Sequence, residues 1–243
     1  MKESSELWRQ VSDKLAQSIA SGALSPGERL PASSKLAGEF SVHQHTVLKA
    51  IAHLQESGLL RVEQGRGTFV VEHPIAFELG QQTWYEQNLS DQSRIPSRRV
   101  LGVSREPASL EVQKGLALSE GAVAVCAKLL GEADGVPIYL GRHYLPAERF
   151  PSIGEVFEDL QARSARRIVF SELLSQFGVD EFSRTRAVIR SRLPDLEEAR
   201  LLQCAPKTPL LETHITLVDQ ALEPIVYGVS AYCSDRVELT VEI

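Results

Sequence analysis

The sequence predicts an α+β chain in two parts: a winged helix-turn-helix over residues 1–72, and an antiparallel sheet carrying helices over residues 83–243. Three observations carry this. Stretches with apolar residues at helical spacing precede a glycine-tipped pair of short strand runs. Longer strand-like runs follow, some joined by tight hairpin signals. Between the two parts stands His73-Pro74, where proline drives the preceding residue out of helix, so residues 73–82 read as a linker.

In the first part, Trp8, Val11, Leu15 and Ile19 form one apolar stripe on a helix from Glu6 to Ala20. Ser25-Pro26-Gly27 breaks the chain. Ser33-Ser34 then opens a short second helix carrying Leu36, Ala37 and Phe40. After the tight turn Ser41-Val42-His43, a third helix carries Val47, Ala50, Ile51 and Leu54 and ends at Ser57-Gly58. Leu59–Glu63 and Thr68–Val71 are short strands around Gln64-Gly65-Arg66-Gly67. Patterning alone leaves open a small helical domain with an appended hairpin.

The second part shows helix signals at Thr83–Leu89, Ser109–Leu116, Ile153–Gln161, Arg167–Phe177 and Leu196–Leu202. Strand runs fall at Arg98–Ser104, Val123–Gly131, Val136–Leu145, Arg184–Leu193, Leu210–Val218, Pro224–Tyr232 and Val237–Glu242. With Ala133-Asp134-Gly135 as a turn, Ala127, Leu129, Gly131, Tyr139, Gly141 and His143 share one face. Arg184, Arg186, Arg190 and Arg192 share a face of another strand, either an anion-binding wall or a solvated surface.

The composition, 43% hydrophobic and 24% charged over 243 residues, is that of a globular chain and excludes disordered and fibrous classes. Three widely separated cysteines suggest neither a disulfide framework nor a thiolate zinc site, and free thiols fit a reducing cytoplasm. No apolar run approaches membrane-spanning length, so a membrane partner is not expected. The net charge of −6 lies wholly in the second part, since residues 1–72 balance 8 Lys+Arg against 8 Asp+Glu. Between Glu39 and Glu56 there is no acid, only Lys49, His43, His45 and His53 with neutral residues, so this helix can meet phosphates. No phosphate loop, His-Glu-x-x-His or Gly-x-Ser-x-Gly motif is present, so no catalytic group, metal or cofactor is expected.

Pro26-Gly27-Glu28-Arg29-Leu30-Pro31, Leu36-Ala37, Val42, Thr46-Val47, Leu54, Gly58-Leu59-Leu60 and Gly65-Arg66-Gly67-Thr68-Phe69-Val70 resemble the GntR superfamily of bacterial transcription regulators. The second part resembles the UTRA effector domain of its HutC-like branch at Gly135-Val136-Pro137, Tyr144-Leu145-Pro146, Pro209-Leu210-Leu211, Pro224, Tyr227 and Thr240-Val241-Glu242-Ile243. Within that branch, Thr83 to Leu89 and Asp134-Gly135-Val136 look most like phosphonate-responsive regulators. The resemblance implies a cytoplasmic homodimeric repressor, released from palindromic double-stranded operator DNA when a small metabolite binds. The fold it implies is similar to chorismate lyase, which leaves a lyase-like enzyme as the alternative.

In such proteins the start of the third helix faces base edges in the major groove. The resemblance therefore assigns DNA contacts to Ser34, Lys35, His43, Gln44, His45, Thr46 and Lys49, and to Gly65, Arg66 and Gly67 in the wing. Family arginines are replaced at Ser34, Gln44 and Leu48; an amide at Gln44 suits adenine where arginine grips guanine. A solvated helix face is the alternative for Gln44 and His45. For the effector, the resemblance points to Thr83, Trp84, Tyr85, Tyr139, His143 and Tyr232. Thr83 reads as an N-cap whose helix amides, those of Trp84 and Tyr85, receive a small anionic effector, phosphonate-like or carboxylate. Charged residues that hold aminosugar phosphates are replaced by Leu129, Gly131, Gly141 and Val226, so a less polar wall is expected. His143 is read as a hydrogen-bond donor that gains charge below about pH 6.5, or else as a core histidine.

Overall fold

The computed structural model describes residues 3–21, 23–63, 65–71, 74–80 and 84–241. The chain divides into two compact units, residues 1–73 and 74–243.

In the first unit, α1 (Glu3–Ala20), α2 (Ser33–Glu39) and α3 (Gln44–Glu56) enclose Val11, Leu15, Leu36, Val47, Ile51 and Leu54. The turn between α2 and α3 is tight because Ser41 takes a left-handed φ of 53°, letting the Val42 amide reach back to Ala37 O at 3.0 Å. α3 stops at Gly58, φ 74°, and the Leu59 amide closes onto Leu54 O at 2.8 Å, a glycine C-cap. β1 (Leu60–Glu63) and β2 (Gly67–Val70) form the wing. The Pro26–Leu30 segment adds to its edge, with Leu30 N donating to Thr68 O and Val70 N to Glu28 O.

In the second unit, β4 (Pro96–Pro107), β5 (Val123–Ala133), β6 (Val136–Pro146), β7 (Phe182–Arg192), β8 (Leu210–Asp219) and β9 (Pro224–Cys233) make one antiparallel sheet. Its order is β4-β5-β6-β9-β8-β7. On one face α6 (Ile153–Ala162) and α7 (Phe170–Ser175) bury Val125, Ala127, Leu129, Phe157 and Phe170. The other face packs Leu202, next to α8 (Leu196–Leu201), against Leu130 and Leu140. It also packs α5 (Leu110–Leu116) against Ala124 and Tyr227. Ser109 caps α5, accepting from Val112 N at 3.3 Å.

Asp134 and Gly135 both take positive φ (53° and 80°), a two-residue turn of the kind that matches strand twist. A bulge after Gly131 adds a further step, so Gly131 faces Tyr139 and Ala127 faces His143. This pairing is displaced by two residues from that of a turn at 133–135; an even displacement leaves every side chain on its expected face.

The linker expected over residues 73–82 holds a strand instead. β3 (Ile75–Glu78) pairs in parallel with β10 (Val237–Thr240). Its other edge is closed by two side-chain amides. Asn88 Oδ1 accepts from Glu78 N (2.7 Å), and Gln92 Oε1 accepts from Ala76 N (3.0 Å). Side chains thus stand in for a neighbouring strand.

Candidate functional site

In the first unit, His43 stands before α3 as its N-cap without a side-chain cap bond, and Gln44 is the first helical residue. His43, Gln44, His45, Leu48 and Lys49 are exposed and Thr46 is half-buried, while Val47 and Ala50 anchor the opposite face. Gln44 Nε2 donates to Ser33 Oγ across the turn (2.9 Å), so the amide is held at the mouth of the motif. Ser34 is exposed, and Lys35 lies 4.0 Å from Glu39. The Lys49 Nζ sits 4.9 Å from the Trp8 ring centre, and His53 meets the same ring edge-on at 5.2 Å. A cation–π contact therefore holds Lys49 against α1.

Arg66 is exposed at the wing tip between Gly65 (φ 77°) and Gly67 (φ 128°), backbone conformations that suit glycine. Gln64 lies outside the described residues. The Arg29 guanidinium lies over Gly67; a Cβ there would come within 2.6 Å of Arg29 Nε. Arg29, a second cation on the wing, was not among the expected contacts, although it stands in the Pro26–Pro31 motif.

In the second unit a cavity of about 90 Å³ lies between α4 (Tyr85–Ser90), α7 and the sheet. Trp84, Tyr85, Tyr139, His143 and Tyr232, all expected effector residues, line it together. Thr83 lies outside the described residues. The N-cap place is taken by Trp84, whose carbonyl accepts from Asn88 N (2.9 Å) with no side-chain cap. The Trp84 ring lies against Phe182, centres 4.4 Å apart. Tyr85 is committed to the scaffold, its hydroxyl donating to Glu132 O at 2.7 Å. Tyr139 and Tyr232 pack ring to ring at 5.3 Å. Gly131, where the resemblance expected a charged residue, makes room for this: a Cβ there would run into the Tyr139 ring.

The less polar wall is corrected by two arginines from other strands. Arg98, facing Gly131 across β4 and β5, is 7% exposed. Its Nε donates to Tyr139 Oη (2.9 Å), and its Nη1 to Glu86 Oε1 (2.6 Å) and Ile168 O (2.8 Å). Burial pulls its pKa down, but Tyr139 and Glu86 overcome this and the net shift is upward. Arg184 also lines the cavity, 4.9 Å from the Trp84 ring centre. A bulge between Arg184 and Arg186 turns Arg184 to the cavity face and leaves Arg186, Arg190 and Arg192 on the other; the four-arginine face does not form. Arg192 binds Glu198 and Glu212 there.

His143 packs its ring 4.9 Å from Phe170, and its Nε2 is buried with no hydrogen-bond partner. Burial, with Arg98 as a second cause, holds its pKa down at about 3. The expected gain of charge below pH 6.5 is therefore overturned. No cluster of His, Cys, Asp and Glu among the described residues has a metal-binding arrangement. No described helix is long and apolar enough to cross a membrane.

A winged helix-turn-helix whose third helix exposes an acid-free N-terminal half, joined to a unit built round a cationic, aromatic-lined cavity, defines a DNA-binding transcription regulator with a ligand-sensing domain. Known proteins agree. Residues 7–70 match the model of the gntR family of bacterial regulatory proteins, and residues 91–238 match the UTRA domain. The chain belongs to the gntR family, in the group that carries a UTRA domain. It is 31% identical over 222 residues to the regulator PhnF of Escherichia coli, covering 89% of this chain and 87% of that one. The crystal structure of PhnF from Mycobacterium smegmatis superposes with a TM-score of 0.68 at 27% identity, over 96% and 98% of the two chains. An uncharacterized HTH-type regulator, RB1450 of Rhizobium meliloti, is 30% identical over 237 residues, 97% of this chain and 94% of its own. These relatives are transcription regulators rather than enzymes, and the lyase alternative falls.

Proposed function

We propose that this regulator is a homodimeric repressor that holds a pseudo-palindromic operator through α3 and the wing and releases it when a small anion fills the cavity. The observation that carries the reading is the cavity itself. Two guanidiniums, Arg98 and Arg184, line it beside aromatic rings, a setting in which an anion is stabilised without bulk water. Relatives named as repressors act in different systems, one in mannosyl-D-glycerate transport and metabolism and another, a probable repressor, in fructoselysine utilization, which supports repression and leaves the anion to this chain's own lining. Residues 1–72 are the DNA-binding part. Residues 83–243, extended here to include β3, are the part that senses ligand and dimerises.

On DNA, Gln44 pairs with adenine through its amide while Ser33 holds it in place. His43, His45 and Thr46 flank it, and Ser34, Lys35 and Arg66 reach phosphates or the minor groove. Selection of binding sites from random DNA by the full-length protein tests this. A two-fold symmetric site is expected, bound by a particle of twice 26.8 kDa. Gln44→Arg is expected to move one symmetric position from adenine to guanine, a discrimination of about 1–3 kcal/mol. A monomer on an asymmetric site overturns the dimer, and identical logos overturn the role of Gln44.

A further inference from the structure

The three cysteines of the chain do not share one setting. Cys126 is buried in β5 between Ser104 and Tyr144 of the neighbouring strands. Cys233 ends β9 opposite Leu210 and is 0% exposed. Cys204 follows α8 and is partly exposed. The helix ends in a left-handed Gln203 (φ 50°), whose amide donates to Arg200 O (3.3 Å) while the Cys204 amide donates to Ala199 O (3.1 Å). Such a reversal folds the next residue back onto the apolar side of its own helix. Cys204 accordingly packs on the cluster that holds Leu202, Leu210, Ala231 and Cys233. Two thiols far apart in sequence thus meet beside α8.

Arg236 fixes this meeting place. Its Nη1 donates to Leu202 O and Pro137 O (both 2.6 Å) and its Nη2 to Gln203 O (2.7 Å). One guanidinium therefore ties the chain before Cys204 to the corner after Cys233. The two thiols interact directly. Burial pushes the Cys233 thiol up to about 12, and Cys204 adds to the rise as like charge and as hydrogen-bond partner, while Arg236 opposes it. Cys233 is thus a protonated thiol sealed from solvent, and Cys204 is the member that solvent reaches. One accessible and one buried thiol in contact suit an attacked cysteine and the cysteine that resolves it. A guanidinium beside them favours a thiolate when one forms.

We propose that Cys204 and Cys233 form a reversible oxidation site for peroxides, closing to a disulfide within the second unit. A hydroperoxide gives one oxygen to the Cys204 sulfur. The O–O bond breaks, a sulfenic acid forms, and the other peroxide oxygen leaves as water or alcohol with the thiol proton. The Cys233 sulfur then attacks the Cys204 sulfur. The S–O bond breaks, and the hydroxyl leaves as water with the Cys233 proton. Together the two thiols lose two electrons, and one hydroperoxide is reduced. The bond ties the end of α8 to the corner that leads into β10, and β10 pairs with β3 where the second unit begins. Transient, oxidant-sensing bonds are the usual form of disulfide in a reducing compartment.

Reduced full-length protein is treated with hydrogen peroxide in small molar excess, quenched by alkylation and mapped by peptide mass spectrometry. A Cys204–Cys233 cross-linked peptide is expected, lighter by two hydrogens than its reduced parts and restored to them by dithiothreitol. Cys126 should be alkylated only after denaturation. Oxidised protein should melt at a higher temperature than reduced protein, because the bond restricts the unfolded chain. In Cys233→Ala the reaction should stop at Cys204, where dimedone traps the sulfenic acid. In Cys204→Ser, peroxide should leave Cys233 untouched, and Cys126→Ala should form the bond as the parent does. Should Cys233→Ala fail to fold, early dimedone trapping in the parent makes the same assignment, with label on Cys204 that declines as the cross-link grows. A bond to Cys126, a cross-link between two chains or dimedone on Cys233 overturns the proposal. So do irreversible oxidation of Cys204 without a cross-link, thiols unchanged by peroxide, and a melting temperature that does not rise.

Discussion

His143 shows how far a single side chain can depart from its sequence-based expectation. Its place on the cavity face follows from strand alternation, but its charge depends on burial and on Arg98, which comes from a different strand. With a native pKa near 3 and an unfolded value near 6.5, the ring is neutral when folded and takes a proton when unfolded between those limits. Its stability contribution is therefore complete above pH 6.5 and is lost as the pH falls toward 3. At pH 5 the loss is about 2 kcal/mol. His143→Phe keeps a ring against Phe170 and removes the titration. Urea unfolding of both proteins at pH 7 and pH 5 should show a smaller acid loss in the variant, and equal losses would refute the buried neutral ring. In the wing, Arg66 and Arg29 flank Gly67 and are expected to act on phosphates rather than bases. Arg66→Ala and Arg29→Ala should each weaken all sites alike and flatten the dependence of log K on log salt by about one. Loss confined to one base pair with an unchanged slope would give these arginines a reading role instead.

At the scale of elements, the hydrophobic pattern was enough for what is local and insufficient for what is not. Helices α1 to α3 were legible from their stripes and from Gly58, and the antiparallel hairpin β5–β6 from Asp134-Gly135. β3 was not. It is four residues long, its partner β10 comes from the far end of the chain, and a parallel pair leaves no turn between its strands to read. The cavity was half legible for the same reason. Tyr139 and His143 share a face by alternation and Tyr232 comes from the family resemblance, whereas Arg98 needs the register of β4 against β5, and Arg184 needs a bulge that no local pattern marks. Two glycines in this sheet separate a packing role from a tolerated one. Gly131 lies under the Tyr139 ring and Gly102 has nothing within 4 Å of its missing Cβ. Gly131→Ala should lower stability by about 1–3 kcal/mol through overpacking, and should weaken cavity ligands with it. Gly102→Ala should stay within about 0.5 kcal/mol of the parent. Thermal unfolding of the pair checks the contrast, and equal effects would remove the argument for the Tyr139 seat.

For the whole molecule the question is how an acid in one unit alters DNA binding by another. Phe77 on β3 lines the cavity three residues after the second unit begins at Pro74, and Trp84 lines it at the start of α4. A ligand in this cavity would therefore touch the part of the second unit nearest in sequence to the DNA-binding unit. Contact alone does not make a switch, because a ligand with equal affinity for two states shifts neither. The acid must bind the released state more tightly than the DNA-bound one, and linkage then makes the effect reciprocal. If a small acid lowers operator affinity by some factor, the operator must lower the affinity of that acid by the same factor. Couplings of this kind amount to about 1–3 kcal/mol, roughly 5- to 150-fold in affinity. One arm measures fluorescence anisotropy of labelled operator with and without saturating acid. The other follows the Trp84 signal of Trp8→Phe protein during acid titration, with and without saturating operator. The two factors should agree and should exceed fivefold. A factor of one in both arms would leave the cavity a ligand site without control over DNA, and two unequal factors would mean that the acid acts on DNA binding from somewhere other than the cavity.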